Sequence, residues 1–438
     1  MQRKLLSALF WILLANLIVK PLWILGVEAG VQNAVGNEMY GFYFAIFNLS
    51  YILNILLDLG LTNYNTRNIA GHPQLIGKHL SGILGLKLCL LALYVVATFS
   101  VGALIGYGAA EFRLLAWLCV AQFLNSLILY LRSNFEGLLL FRWDSLFSVL
   151  DRVLMILICG HLLWSPLRAG APFRIEHFVY AQVAAYALTA ALALFVIGRK
   201  AGLRRLRWDW RFFLVVLRQS APFALLVLLM AAYNRLDPIL LRLFSSDAEA
   251  GVYAGAFRLL DALTMVAYLV SVPLLPIFSR LTAQGGSPAP IVRTVFWPMM
   301  LFSVGAATAC ALFAEPLMRL LYHERGALCV PVFRVLIFGL IPIGLTYIFG
   351  TLLTAGGRLR QLNIFAACTL ALNICANLLL IPRLGAVGSA WASLLAQSLM
   401  AVAQLLLAVR IFRLPPAAFA PPSVASVRTL LRSLRDEE

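Results

Sequence analysis

Charge is what this sequence has least of. Only 12% of its 438 residues are charged, 62% are hydrophobic, and mean hydropathy is +0.90. A soluble domain is about half apolar and about a quarter charged, so a chain built around one soluble core is excluded. Acids are the scarcer sign, with 18 Asp and Glu against 35 Lys and Arg. The net charge of +17 is not the footprint of a nucleic-acid binder, because no soluble basic domain with interleaved aromatics exists to carry it. Histidine is rare, five in all, and of these His161, His177 and His323 are scattered and lack an evident acid partner. The seven cysteines, Cys89, Cys119, Cys159, Cys310, Cys329, Cys368 and Cys375, form no CxxC pair and have no His at metal spacing. They read as small packing residues; no metal, cofactor or disulfide is expected. No GxxxxGK[ST] loop occurs, so no Walker-type nucleotide site is expected.

What is present is a succession of apolar runs. A bilayer core needs about 20 apolar residues per helix. The chain divides into spans at 5–27, 39–60, 80–107, 114–139, 147–165, 177–197, 213–242, 251–276, 294–314, 331–353, 362–381 and 387–410. Arg3-Lys4 before the first run resembles a signal peptide, but no small-residue cleavage site follows, so it reads as an uncleaved helix. Twelve spans put both termini on one side. Arg3, Lys4, Arg67, Lys78, Arg142, the run Arg199 to Arg211, Arg280, Arg293, Arg358 and Arg360 share it with the tail. That is about twenty Lys/Arg against about seven opposite, and the richer side is cytoplasmic. Glu28, Glu38, Asp247, Glu249 and Glu315 fall outside. The expected fold is all-α, with about twelve transmembrane helices in two pseudo-symmetric six-helix lobes. The lobes are 1–205 and 206–410, divided at the basic loop, and 411–438 forms a basic cytoplasmic tail at the membrane surface.

The halves carry a repeat. Tyr40-Gly41-Phe42-Tyr43-Phe44-Ala45-Ile46-Phe47-Asn48-Leu49 aligns with Ala250-Gly251-Val252-Tyr253-Ala254-Gly255-Ala256-Phe257-Arg258-Leu259, with Gly, Tyr, Phe and Leu coinciding. Lys20-Pro21 and Asp237-Pro238 sit at comparable places in the preceding helices. An even number of spans separates matching helices, so the repeat is parallel, about an axis along the membrane normal. Transporters are often built this way, with substrate between the halves.

Ionisable groups at membrane depth are costly and usually face a cavity or a partner. The second span carries Asn48, Tyr51, Asn54 and Asp58, which share one face at 3.6 residues per turn. The repeat register sets Arg258, Asp261, Thr264 and Tyr268 at the same positions of the eighth. A central aqueous cavity produces such matched stripes; interhelical hydrogen bonding is the plainer alternative. Further buried charges are Lys20, Lys87, Arg132, Glu136, Asp151, Arg152, Arg218, Arg235, Asp237 and Arg334, of which Glu136, Arg218 and Arg334 lie near helix ends and can snorkel. Cations outnumber acids, which suits an anionic substrate, and the Arg fork suits phosphate. The candidate substrate residues are Arg258, Arg235, Lys20, Arg152, Arg132, Lys87, Asn48, Tyr51, Asn54 and Tyr268. Prolines within apolar runs, among them Pro21, Pro238, Pro298 and Pro342, mark kinks that serve as hinges or as static bends.

Three motifs in order carry a family resemblance: Gly41-Phe42-Tyr43 with Leu57-Asp58-Leu59-Gly60-Leu61 and Arg67-Asn68-Ile69-Ala70; Tyr233-Asn234-Arg235-Leu236-Asp237 before Gly251-Val252-Tyr253; and Asn373, Asn377-Leu378 before Ile381-Pro382-Arg383-Leu384-Gly385-Ala386-Val387-Gly388. Over most of 1–410 the chain resembles the polysaccharide transporter family, the Wzx-type flippases of the MOP exporter superfamily. The resemblance implies alternating access by two six-helix lobes in a bacterial inner membrane. It implies an undecaprenyl-diphosphate-linked oligosaccharide as substrate, used for O-antigen, capsule or exopolysaccharide, with the buried Arg groups meeting the diphosphate. It also implies coupling to H+ or Na+, for which Asp58, Asp237 and Asp261 are the candidates. The alternatives are a cation-coupled multidrug antiporter of the same superfamily, a lipid II flippase, for which about fourteen spans rather than twelve are expected, and an integral-membrane glycan polymerase or ligase. The antiporter needs a negative cavity, whereas this surplus is positive. The enzyme needs sizeable outside loops, whereas these are short and His323-Glu324-Arg325 is their best cluster. No catalytic role is expected.

Overall fold

The computed structural model describes residues 19, 22–62, 65–66, 69, 74, 76–138, 140–164, 173–201, 210, 213–214, 228–271, 274–283, 285–322 and 326–420. Among them there is no strand. The helices are α1 (Ala29–Leu53), α2 (Ile76–Ile105), α3 (Ala109–Gly137), α4 (Phe141–Trp164), α5 (Ile175–Ala201), α6 (Asp237–Phe244), α7 (Asp247–Ser271), α8 (Leu274–Ala283), α9 (Ala289–Leu312), α10 (Ala314–Tyr322), α11 (Gly326–Leu336), α12 (Leu340–Ala355) and α13 (Leu359–Phe412). Nine stretches of the described residues are long and apolar enough to cross a membrane. The protein is an all-α, multi-pass membrane protein.

Helix ends fall where the backbone loses its pattern. At 54 residues, α13 would be about 81 Å long if straight, far beyond a bilayer core of about 30 Å. It is two helices merged across Gly385, where φ is 56° and ψ −134°. The break follows Pro382 and agrees with the expected division between 381 and 387. A second junction departs from expectation. The polar stretch 28–38 reads as an outside loop, yet helix continues from the π-helical turn Leu22–Glu28 into α1 and reverses only at Gly36, with φ 85° and ψ 166°. One glycine in a conformation that side chains resist replaces the loop. Most of the first expected span, 5–27, and much of the seventh, 213–242, lie outside the described residues, as do Lys20, Pro21, Arg218, the basic loop 202–209, His323-Glu324-Arg325 and 421–438.

Contacts resolve the chain into two compact units, Met1–Gly255 and Ala256–Glu438. The expected lobe boundary at 205/206 falls among residues that are not described. In unit 1, α3 packs along α5 and α5 against α4. Their core gathers Leu61, Leu86, Tyr130, Phe135, Phe147 and Ile197. Trp23 stacks on Phe178 at 5.8 Å, and Tyr43 meets the same ring edge-on at 5.4 Å. In unit 2, α12 packs along α13 and α9. Glycines let polar side chains lie on backbone there, Gln404 against Gly350 and Ser303 against Gly344. The start of the tail docks on α9, with Trp297 Nε1 donating to the Phe419 carbonyl at 2.9 Å.

Candidate functional site

The polar residues of the second span do not form one continuous helical face. The α-helix ends at Leu53, Asn54–Leu57 is a 3-10 turn, and Leu59 and Gly60 take positive φ. The expected stripe assumed 3.6 residues per turn through Asp58, and the change of helix type redirects its lower half. Asn48 is fully buried and donates to the Phe44 carbonyl one turn back at 2.7 Å. Tyr51 is 37% exposed and carries the Arg235 guanidinium over its ring at 5.1 Å. Asn54 donates to Gln122 Oε1 on α3 at 2.8 Å.

The broken end of the helix is closed by Lys87 from α2. Its ammonium, 1% exposed, donates to the Leu57 carbonyl at 3.0 Å and Ser126 Oγ at 2.7 Å, and lies 3.5 Å from the Asp58 carboxylate. Asp58 in turn accepts from the Thr62 hydroxyl at 2.6 Å. Unwinding frees carbonyls, and an ammonium with three donors is suited to satisfying them. Arg132 is committed to Asp144 at the start of α4, at 2.7 Å.

Arg152 sits in an aromatic surround. Its guanidinium lies 5.6 Å from the Trp23 ring and 5.8 Å from the Tyr186 ring, donates to Tyr186 Oη at 3.1 Å, and has the Asp151 carboxylate at 3.7 Å. Cation–π contact suits a guanidinium out of water.

Asp237 opens α6 with Pro238 at its first turn, after a bend at Leu236. The carboxylate is 1% exposed and accepts from the Tyr253 hydroxyl at 2.7 Å. α7 is unbroken from Asp247 to Ser271, so Arg258, Asp261, Thr264 and Tyr268 do share a face. Arg258 is 5% exposed and donates to Tyr322 Oη at 2.7 Å. Tyr268 is 49% exposed and meets Tyr347 edge-on at 6.0 Å. Sequence reasoning missed Trp23, Gln122, Tyr186 and Tyr322, and saw Tyr253 only as a repeat and motif residue. These supply the partners of the candidate residues from distant segments, and no local pattern points to them.

The repeat-matched glycines meet. A Cβ on Gly41 would overlap the Asp247 carbonyl oxygen and lie 2.5 Å from the Gly251 nitrogen. A Cβ on Gly251 would overlap the Asn37 carbonyl oxygen and lie 2.6 Å from its carbon. Asn37 precedes Gly41 by four residues, and Asp247 precedes Gly251 by four. The contact is thus reciprocal in the register that the sequence repeat defines. Gln32 reinforces it, donating to the Gly251 carbonyl at 2.9 Å and Asn37 Oδ1 at 3.0 Å. Beside it Arg242 holds Glu111 at 2.7 Å and Asp247 at 2.8 Å, with its guanidinium over the Phe42 ring at 4.6 Å and the Tyr107 ring at 5.3 Å. Burial pushes the Tyr107 phenol up to about 12, against the opposing pull of Arg242. The α2–α3 and α6–α7 turns and the Gly36 reversal therefore lie at one end of unit 1.

The family described as polysaccharide biosynthesis protein matches residues 5–282. Among curated proteins nothing matches. Solved structures share the fold. One is the lipid II flippase MurJ in an inward closed conformation, with a TM-score of 0.69, 14% identity, and coverage of 93% of this chain and 88% of that one. Another is a mutant form of the Vibrio cholerae MATE transporter VcmN, with a TM-score of 0.60, 17% identity and coverage of 95% and 99%. A third is a MOP superfamily transporter from Pyrococcus furiosus, whose binding pocket is described as reversed in polarity, with a TM-score of 0.57, 15% identity and coverage of 93% of both chains.

Proposed function

Because this chain belongs to the polysaccharide biosynthesis protein family, we propose that it is a flippase carrying an undecaprenyl-diphosphate-linked oligosaccharide from the cytoplasmic to the periplasmic leaflet of a bacterial inner membrane. Both termini are then cytoplasmic, and the glycan serves O-antigen, capsule or exopolysaccharide synthesis. The observation that carries the reading is a guanidinium deep in a membrane helix: Arg258 is 5% exposed, and one of its nitrogens donates to the Tyr322 hydroxyl. A buried arginine is expensive, and a fork that can take two oxygens is suited to diphosphate. Arg235 on Tyr51 and Arg152 among aromatic rings supply further cations and, in the rings, stacking surfaces for sugars. Lys20, Asn48, Asn54 and Tyr268 remain in the proposed lining. Lys87 and Arg132 hold the scaffold through Asp58 and Asp144.

Alternating access is supported by the reciprocal Gly41–Gly251 contact, which closes one end of two repeat-related helices by backbone approach. Asp58, Asp237 and Asp261 are the candidates for coupling to H+ or Na+; Asp58 lies beside Lys87 and Thr62, and Asp237 accepts from Tyr253. A strain lacking the gene should accumulate lipid-linked glycan on the cytoplasmic leaflet. Arg258→Ala and Arg235→Ala should lose export while the protein still reaches the membrane. Normal glycan pools in the deletion strain would overturn the reading. The structural likeness to MATE transporters supports a second reading, a cation-coupled antiporter; drug efflux from vesicles, with glycan export intact in the deletion strain, would favour it.

A further inference from the structure

Unit 1 contains a cavity of about 250 Å³ that none of the candidate substrate residues lines. It lies where α3 and α5 begin, against α1 just past the Gly36 reversal, and its walls include Phe42, Ala110, Arg113, Trp117, Glu176 and Tyr180. Trp117 and Tyr180 meet edge-on at 5.0 Å and remain 41% and 43% exposed. Further along the same two helices, Leu129, Leu188 and Phe195 are also exposed, an apolar face of the kind that meets acyl chains.

The cavity is polar at one end. Glu176 is the second residue of α5 and Arg113 the fifth of α3, so both charges stand within about 6 Å of the helix starts, while Trp117 is about 12 Å in. Among the described residues neither charged side chain forms a hydrogen bond or ion pair, and they do not pair with each other. Two opposite charges on one rim, exposed and not paired with each other, with aromatic walls deeper in, match a dipolar amphiphile. The volume is below the roughly 300–1,000 Å³ of a drug-sized ligand site, too small for an oligosaccharide and sufficient for a headgroup with its glycerol.

We propose that this cavity binds a zwitterionic phospholipid with a primary ammonium, phosphatidylethanolamine, in the leaflet on the α6–α7 turn side. Arg113 takes the phosphate with its planar fork, Glu176 takes the ammonium, and Trp117 and Tyr180 flank the glycerol and the first acyl carbons. Phe42 forms part of the wall and its ring also carries Arg242 at 4.6 Å, so the occupant rests against the ion-pair cluster.

The test is native mass spectrometry of the full chain in detergent, titrated separately with phosphatidylethanolamine, phosphatidylglycerol and phosphatidylcholine. Phosphatidylethanolamine should bind about tenfold more tightly than either, the worth of one charge-assisted hydrogen bond. Glu176→Gln should remove that preference, Arg113→Ala should weaken all three lipids, and Ala110→Trp should fill the cavity and abolish binding. Circular dichroism and gel filtration check that these surface variants fold. Equal retention of the three lipids by the native protein would overturn the proposal, as would a preference that survives Glu176→Gln. Phosphatidylethanolamine still bound by Ala110→Trp would put the headgroup elsewhere and overturn it too.

Discussion

Replacing Gly41 by alanine adds one methyl group where two helices already touch backbone to backbone. The new Cβ would overlap the Asp247 carbonyl oxygen and stand 2.5 Å from the Gly251 nitrogen. Ordinary heavy-atom contact is about 3.5 Å, so the helices must part by at least about 1 Å. Both obstructing atoms are main chain, so no rotamer change can relieve the clash. Parting by that distance stretches the Gln32 bond to the Gly251 carbonyl, 2.9 Å in the native contact, beyond hydrogen-bond range. Overpacking costs about 1–3 kcal/mol, and the lost bond adds about 0.5–1.5 kcal/mol. About 2–4 kcal/mol against the closed arrangement shifts its population by roughly thirtyfold to several hundredfold. The assay is labelling of Asn48→Cys, a position that is fully buried natively, by a membrane-impermeant maleimide added from the periplasmic side in a background lacking the native cysteines. Gly41→Ala should raise the labelling rate at least tenfold, and Gly251→Ala should do the same because the contact is reciprocal. Unchanged labelling and unchanged Tm in both variants would refute the reasoning. A fall in Tm with no gain in labelling would make the contact a static seam rather than a gate.

Lys87→Met strips the Leu57 carbonyl and Asp58 of their buried partner and should cost about 2–3 kcal/mol, discounted because Asp58 is 27% exposed; thermal unfolding in detergent reads it, and adding Asp58→Asn should recover part of the loss. Tyr107 has a folded pKa of about 12, above its ordinary 10.0. Its share of stability is therefore complete below pH 10 and lost as pH rises towards 12, so Tyr107→Phe should flatten the fall in Tm across that interval. Tyr322→Phe removes the 2.7 Å partner of Arg258 and should cost about 1.5–3 kcal/mol while retaining part of export, whereas Arg258→Ala should abolish export; equal export by the two variants would remove Arg258 from the substrate path.

The repeat was legible in ten residues, and the structure gives its register a physical meaning: Gly41 and Gly251 are shared because each must let the other helix's backbone approach. The turn at 382–386 was legible because proline and glycine there break an otherwise continuous apolar run. The reversal at Gly36 was not, because Glu28, Asn33, Asn37 and Glu38 look like a loop while satisfying helical geometry on either side of one residue. Asp58 was legible as an acid at membrane depth, but its pairing with Lys87 was not, because that buried partner is 29 positions away on another helix. The cation at Arg258 was visible, but nothing around position 322 announced the tyrosine that holds it.

By itself the sequence determined class, span length and most helix ends, because these depend on local quantities: the transfer cost of each segment, the proline and glycine breaks, and the charges of adjoining loops. Facing was decided only by the tertiary structure. Lipid is as apolar as leucine, so a membrane helix carries little hydrophobic signal of which side meets protein. That choice rests instead on backbone approach at small residues and on satisfaction of scarce polar groups. Scarcity of charge, the plainest property of the chain, is why so few contacts, Lys87 with Asp58, Arg242 with Glu111 and Asp247, and Arg258 with Tyr322, could decide so much.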